Sequence, residues 1–261
     1  MNSTERCALI TGGLSGIGLA AAIMLAGRGI HVAVASTRVG TPAAKDAEAQ
    51  LAAAASGSRW KSQQIDIRNT ASINDGVAAI AADMGPISIL VNAAGTYNHE
   101  AIAGHSDAQW EDTIASNLSG PFRVTRAVWP MMMEAGHGRV INIASTAAHM
   151  GAREYAGYCS AKAGLLGLTR VTALEGAAHG ITANSISPSW VDTPMMAASL
   201  GNQAQKRGVD VGAVYAEARQ NNPQGRIITA DEIAAQIVWL ALDAPAALTG
   251  EDILMTGGAT W

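Results

Sequence analysis

The chain has little charge and almost no cysteine. Charged residues make up 15% of its 261 residues, against about 25% in soluble domains generally. Apolar residues make up 49%, so much of the chain must lie in a core or in subunit contacts, and a disordered chain is excluded. Two cysteines, Cys7 and Cys159, cannot form a disulfide framework and fit no metal-ligand spacing; Cys7 reads as core filler in an apolar strand. The closest histidines, His99 and His105, are not at the i, i+4 spacing of a helical metal site, so no metal is expected. No apolar run approaches the roughly 18 residues of a membrane span, because Arg28 interrupts the longest candidate, Gly18 to Gly29. The net charge is −4 without a Lys/Arg cluster, which argues against a nucleic-acid partner. The opening MNSTERCALI lacks the parts of a secretory signal. A cytoplasmic location is expected, with neither membrane nor nucleic acid as partner.

What is present is alternation. Apolar β-type runs at residues 8–10, 31–36, 63–67, 87–92, 139–145, 182–187 and 253–255 are separated by longer Ala-rich stretches with helical spacing. Short, continuously apolar strands divided by helices predict an α/β fold, a doubly wound parallel sheet covered on both faces. No linker or composition break divides the chain, so residues 1–261 are read as one domain. Residues 194–225, polar and Met-rich, read as a helical substrate lid within it, mobile when empty. Pro121 and Pro130 are expected to break or kink the helix between Asp107 and Ala135.

After the first strand, Thr11-Gly12-Gly13-Leu14-Ser15-Gly16-Ile17-Gly18 runs straight into an apolar helix. Glycines permit a tight turn and close backbone approach to a pyrophosphate, and the helix N-terminus supplies free N–H groups. The spacing, Gly-x3-Gly-x-Gly from Gly12, departs from the common Gly-x-Gly-x-x-Gly; its placement between strand and helix is what identifies a dinucleotide cradle. The second strand ends Ala35-Ser36-Thr37-Arg38, where a carboxylate usually binds the adenosine ribose of NAD. Two hydroxyls and a guanidinium, with no carboxylate to repel a 2′-phosphate, favour NADP(H) over NAD(H). Asp66, followed by Ile67, could accept from the adenine amino group or cap its own turn.

Tyr158 and Lys162 are four residues apart, on one face of a helix. A phenol titrates near pH ~10; a fixed ammonium beside it, with the positive nicotinamide of an oxidised cofactor, is expected to lower that value. Ser145 is expected at the carboxyl end of the fifth strand, where ligands collect in open α/β sheets. Thr11 to Gly18, Asn92-Ala93-Ala94-Gly95, Asn117, Ser145, Tyr158-Cys-Ser-Ala-Lys162 and Thr256-Gly-Gly258 together resemble the short-chain dehydrogenase/reductase family, over nearly the whole chain. The resemblance implies a seven-stranded Rossmann fold of strand order 3-2-1-4-5-6-7, a homotetramer, and a catalytic tetrad of Asn117, Ser145, Tyr158 and Lys162. It implies Tyr158 as proton donor or acceptor, Ser145 orienting the substrate oxygen, Lys162 holding the nicotinamide ribose, and Asn117 positioning a water. Asn92, Ala93, Ala94 and Gly95 would line the cofactor, and Ile186, Pro188, Val191 and Thr193 would flank the nicotinamide.

Within the family, residues 171–175, 180–184 and 190–194 are similar to the bacterial D-3-hydroxybutyrate dehydrogenases. The positions that hold the substrate carboxylate there read Tyr97, Ala147, Tyr155 and Ser199 here, with Trp190 kept. An unpaired buried carboxylate would cost several kcal/mol. The expected pocket is therefore Tyr97, Ala147, Tyr155 and Trp190, closed by Met195, Met196 and Leu200 of the lid, for a neutral, bulky or cyclic ketone or secondary alcohol. The alternatives are 3-hydroxybutyrate itself, with Arg153 or His149 rebuilding the anion clamp; a 3-oxoacyl thioester on a basic rim of Lys206, Arg207, Arg219 and Arg226; and a catalytically silent dinucleotide-sensing scaffold.

Overall fold

The computed structural model describes residues 6–55 and 57–259. Its strands are β1 (Cys7–Thr11), β2 (His31–Ser36), β3 (Trp60–Gln64), β4 (Ile87–Asn92), β5 (Gly138–Ile143), β6 (Ile181–Pro188) and β7 (Asp252–Met255). They form one parallel sheet in the order β3-β2-β1-β4-β5-β6-β7, as the resemblance implies. The helices are α1 (Gly16–Gly27), α2 (Pro42–Ala54), α3 (Thr70–Met84), α4 (Asp107–Ile114), α5 (Gly120–Ala135), α6 (Ala156–Gly176), α7 (Pro194–Arg207), α8 (Val211–Gln220) and α9 (Ala230–Leu242). Successive strand residues face opposite sides. Ala8 and Ile10 therefore join α1, α2 and α9 in one core, while Cys7 and Leu9 join α3, α5 and α6 in another. Cys7 is the expected core filler, its thiol pushed up to about 12 by burial.

Three local expectations are corrected. The third strand is Trp60–Gln64, not residues 63–67. It is an edge strand with every residue at least partly exposed, so apolar patterning does not mark it; Ile65 and Ile67 follow it as side chains of the second core. Ser145 stands beyond the end of β5 and caps a short 3-10 turn, Thr146–Ala148. The segment from Asp107 to Ala135 is interrupted by a π turn, Ala115–Ser119, ahead of Pro121. Pro121 takes the first turn of α5, where a missing N–H is harmless. Pro130 lies inside α5 without ending it. The roughly 3 kcal/mol an interior proline costs is outweighed by burial of Val124, Val128 and Met132 against the sheet, at about 1.5–3 kcal/mol each.

Residues 194–225 hold the helices α7 and α8, and part of their apolar surface faces inward while Met195, Val209 and Val211 stay exposed. Met196, Leu200 and Ala204 of α7 pack on Val214 and Ala218 of α8, forming a small core of their own.

Beneath the carboxyl ends of β4 and β5 runs a buried polar chain. Asn92 Nδ2 donates to Asn142 Oδ1 at 2.9 Å, Asn142 Nδ2 to Thr169 Oγ1 at 2.8 Å, and Thr169 Oγ1 to the Leu165 carbonyl at 2.8 Å. The side chain of Asn92, expected to line the cofactor, is thus turned into the packing between sheet and α6. Asn142→Ala removes two buried hydrogen bonds at once, leaving Asn92 Nδ2 only a 3.4 Å contact with Thr125 Oγ1, each lost bond costing about 1–3 kcal/mol. It should lower unfolding free energy by roughly 2–5 kcal/mol in urea titration, and a loss below half a kcal/mol would show that the chain is dispensable.

Candidate active site

The carboxyl ends of the central strands are drawn together by one hydroxyl and a run of glycines. Thr11 Oγ1 accepts from the backbone N–H groups of Ala93 and Ala94, both at 3.2 Å. Gly12, at φ +68°, lies flat against them: a Cβ there would stand 2.9 Å from Ala94 Cα. A Cβ on Gly18 would stand 2.5 Å from the Gly12 carbonyl oxygen, so only glycine lets α1 begin this close to β1. Gly16, at φ +52°, faces the Thr193 methyl. Leu14 and Ile17 anchor the turn in the first core. The N-cap of α1, Ser15, makes no side-chain cap bond. Its hydroxyl accepts instead from Arg38 Nη2 at 2.8 Å, while the Arg38 N–H donates to Ser36 Oγ at 3.1 Å. Thr37 lies exposed beside them. A cradle that any Cβ would fill and free helix N–H groups fit the pyrophosphate of a dinucleotide.

Asp66 has both carboxylate oxygens on Arg68, at 2.9–3.0 Å, and the Arg68 guanidinium holds that carboxyl below the usual range. Ile67 packs into the second core beside Gly120. Pro188 ends β6, Val191 pairs with Ile228 beyond it, and Thr193 caps α7 through Met196 N–H at 3.2 Å.

Tyr158 and Lys162 share a face of α6, with the ammonium 5.6 Å from the ring centroid. The Ser145 hydroxyl stands close enough to the Tyr158 phenol to favour its ionised form and accepts from Ala147 N–H at 3.1 Å. Lys162 Nζ donates to the Ile143 carbonyl at 2.7 Å. Without the oxidised cofactor that the sequence argument includes, the electrostatics run the other way. Burial, partly offset by Ser145, pushes Tyr158 up to about 12 rather than down, and burial also lowers Lys162 to about 8. Desolvation of both groups outweighs the attraction expected between them, so the protein by itself presents a protonated phenol at neutral pH. Asn117 sits in the π turn, with Nδ2 donating to the carbonyls of Thr96 at 2.7 Å and Thr113 at 2.9 Å. Its buried Oδ1 has no protein partner. A Cβ on Gly95 would meet that Oδ1 at 2.6 Å and Lys162 Nζ at 3.9 Å, so Gly95 leaves the gap between amide and ammonium open. Asn117, Ser145, Tyr158 and Lys162 are therefore brought together from the π turn, the strand end and α6.

Around Tyr158 stand Tyr155, with ring centroids 6.3 Å apart, and then Tyr97, 6.2 Å beyond. Ala147 lies in the turn after Ser145. Trp190 packs against the core of the helical hairpin rather than standing free. Met196 and Leu200, expected to close over a substrate, are 3% and 1% exposed inside that core, and Met195 is at the surface. The face of α7 that meets the aromatic wall is polar. Ser199 Oγ and Tyr155 OH share a hydrogen bond at 2.9 Å, Gln203 donates to Tyr155 OH at 3.4 Å, and Asn202 to Tyr97 OH at 3.5 Å. A cavity of about 350 Å³ opens there, lined by Tyr97, Asn98, His99, Asn202, Gln205 and Lys206. Sequence reasoning missed Asn202 and Gln203, although the polar series Ser199, Asn202, Gln203 and Lys206 at helical spacing is a readable signal.

Of the anion clamps weighed from sequence, His149 is engaged elsewhere, its Nε2 bonded to Asp252 Oδ2 at 2.7 Å, and Arg153 is exposed. Lys206 meets Glu154, Arg207 meets Glu217 and Arg226 meets Glu232, so most of the basic rim is neutralised.

A short chain dehydrogenase family model matches residues 6–204. The chain is 37% identical over 254 residues to D-beta-hydroxybutyrate dehydrogenase of Cupriavidus necator, covering 97% of each chain. It is 36% identical over 258 residues to the 3-oxoacyl-(acyl-carrier-protein) reductase FabG of Escherichia coli, covering 99% of this chain and 98% of that one. Among solved structures, a variant of actinorhodin polyketide ketoreductase with NADPH superposes with a TM-score of 0.93 at 33% identity, covering 99% of this chain and 98% of that one.

Lys162 generates a stability prediction of definite sign. Its folded value of about 8 lies below the ordinary 10.5, so the penalty for burying the charge is full below pH ~8 and gone above ~10.5. That penalty is about 3 kcal/mol, against about 1–3 kcal/mol for the bond to Ile143. Without cofactor, Lys162→Met should raise the melting temperature at pH 7 by about 2–6 °C, and the gap should close as pH rises from 8 to 10.5. Melting curves across that range check it; a gap independent of pH would contradict the assignment.

Proposed function

Since the chain belongs to the short-chain dehydrogenase/reductase family and is a nicotinamide-dependent oxidoreductase acting on CH–OH groups, we propose that it interconverts a neutral, bulky or cyclic ketone and its secondary alcohol. NADP(H) is the favoured cofactor over NAD(H). The observation that carries this reading is the grouping of Ser145 and Tyr158 beside Lys162, next to a glycine cradle with Arg38 at its rim. When bound, the nicotinamide supplies or takes up a hydride. Gly12, Gly16 and Gly18 admit the pyrophosphate to the N-terminus of α1, and Ser15, Ser36, Thr37 and Arg38 receive the 2′-phosphate. Asp66 and Ile67 border the adenine, while Ala93, Ala94, Gly95, Pro188, Val191 and Thr193 line the rest of the crevice.

In reduction, Ser145 holds the carbonyl oxygen and Tyr158 gives it a proton; burial keeps the phenol protonated until then. Lys162 holds the ribose, and the unpaired Oδ1 of Asn117 orients a water from which the phenol is reprotonated. The hairpin of α7 and α8 closes the site, excluding water from the transfer. The assembly is a cytoplasmic homotetramer; exposed Phe122 on α5 and exposed Val171 and Leu174 on α6 offer apolar surface to neighbouring copies. An acyl carrier or thioester substrate is disfavoured because Lys206, Arg207 and Arg226 are each paired with a carboxylate.

Tyr158→Phe should leave NADPH affinity within about twofold while lowering kcat by 10²–10⁴-fold, the usual worth of a general acid; retention of a tenth of the parent kcat would refute the role. Arg38→Asp should weaken NADPH roughly 10–100-fold, the loss of a charge-assisted bond, with little change in NADH. Equal shifts in both titrations would make Arg38 a bystander.

A further inference from the structure

This inference rests on the ketone-reductase reading and names the far end of the substrate. We propose that the cavity between α7 and the segment after β4 recognises a neutral hydrogen-bonding group, a hydroxyl or carbonyl, carried by the ketone on the side remote from its reacting carbon.

The first support is the orientation of α7. Ser199, Asn202, Gln203 and Lys206 recur at i, i+3, i+4 and i+7, one stripe of a helix. On a surface helix such a stripe ordinarily faces water while the apolar face meets the domain. In α7 the apolar face is buried against α8, and the polar stripe is hydrogen-bonded directly to Tyr97, Tyr155 and His99 beside the cavity, which Asn202 and Lys206 help to line. Polar groups at the wall of a cavity gain nothing from an apolar ligand.

The second support is the kind of polar group. Tyrosine and serine hydroxyls and the Asn202 and Gln203 amides each donate and accept, so they can reorient to an alcohol or a carbonyl alike. The single cation is already compensated. Lys206 Nζ lies 3.0 Å from the His99 carbonyl oxygen and 3.5 Å from Glu154 Oε2. Glu154 has φ 67°, and its carbonyl accepts from Glu100 N–H at 2.9 Å. A non-glycine residue held in the left-handed region is disfavoured by about 1–3 kcal/mol and persists where its surroundings over-determine it. Here it sets a carboxylate beside Lys206, so an anionic ligand would find a filled partner, whereas a neutral one displaces no charge.

The third support is adjacency. Tyr97 on the cavity wall stands 6.2 Å from Tyr155, and Tyr155 stands 6.3 Å from Tyr158, so the cavity lies on the side of the aromatic row away from the reacting group, where the remote end of a ketone held at Tyr158 would point. A site built to hydrogen-bond a substrate hydroxyl discriminates against the analogue lacking it far more than an apolar pocket discriminates by one methylene.

The test uses three cyclohexanones that carry, opposite the carbonyl, an ethyl, a hydroxymethyl or a carboxylate group, with NADPH and the full chain. The hydroxymethyl compound should exceed the other two in kcat/KM by about tenfold, mainly through KM. The double variant Asn202→Leu, Gln203→Leu should bring the hydroxymethyl-to-ethyl ratio to within about twofold of one. Lys206→Met, which leaves Glu154 without its cation, should lower the carboxylate compound further against the ethyl one. Equal turnover of the ethyl and hydroxymethyl compounds by the parent, or preference for the carboxylate, would overturn the proposal. If none of the three is reduced while other ketones are, the proposal falls and the reductase reading stands. If no ketone is reduced with either cofactor, the reductase reading falls and takes the proposal with it.

Discussion

The close approach of Gly12 to the backbone of Ala93 and Ala94, bridged by the Thr11 hydroxyl, is the contact on which the rest of the site depends. It joins the carboxyl ends of β1 and β4 at the point where the sheet order changes direction, between β1 and β4. In a doubly wound sheet the helices on either side diverge there and leave a crevice. A side chain at Gly12 would push the strand ends apart; one at Gly18 would lift α1 off the turn. Either change would alter both the phosphate cradle and the floor on which Gly95 faces Asn117 and Lys162.

Burial then decides the chemistry of the proton-handling groups. A phenol and an ammonium side by side in water would favour each other's charged forms. Within this core both lose solvation, and the loss is larger than their attraction, so the phenol is held as an acid and the amine is held short of full basicity. The same low-dielectric setting makes the buried Asn92–Asn142–Thr169 chain specific. Each amide there has a partner across an element boundary, which fixes α6, and with it Tyr158 and Lys162, relative to β4 and β5. Asn117 depends on a different device. A π turn adds a residue to the helical path, and such turns are frequent at functional sites; here the turn carries the Asn117 amide to the open space at Gly95.

The hairpin of α7 and α8 shows how packing against an unforeseen neighbour reverses a reading made from residue type. Met196 and Leu200 are flexible apolar groups of the sort that cover irregular ligands, and with no knowledge of α8 they belong over the pocket. Val214 and Ala218 claim them. Once the apolar face of α7 meets α8, Ser199, Asn202 and Gln203 are the side chains that bond Tyr97 and Tyr155.

Sequence by itself determined the alternation of strand and helix, the cradle from Gly12 to Gly18, the guanidinium at the end of β2, and the pairing of Tyr158 with Lys162. Each of these is local: a period of two or of 3.6 residues, a glycine spacing, or a four-residue step along one helix. It placed the third strand three residues late, because an edge strand such as Trp60–Gln64 carries no apolar pattern. Asn117 and the strand order came only through family likeness. The tertiary structure alone decided that Asn92 turns into the packing, that His149 belongs to Asp252, that Lys206 is matched by Glu154, and in which direction burial moves Tyr158 and Lys162. Those outcomes depend on neighbours far away along the chain and on the solvent they displace, and no short-range pattern of residues encodes either.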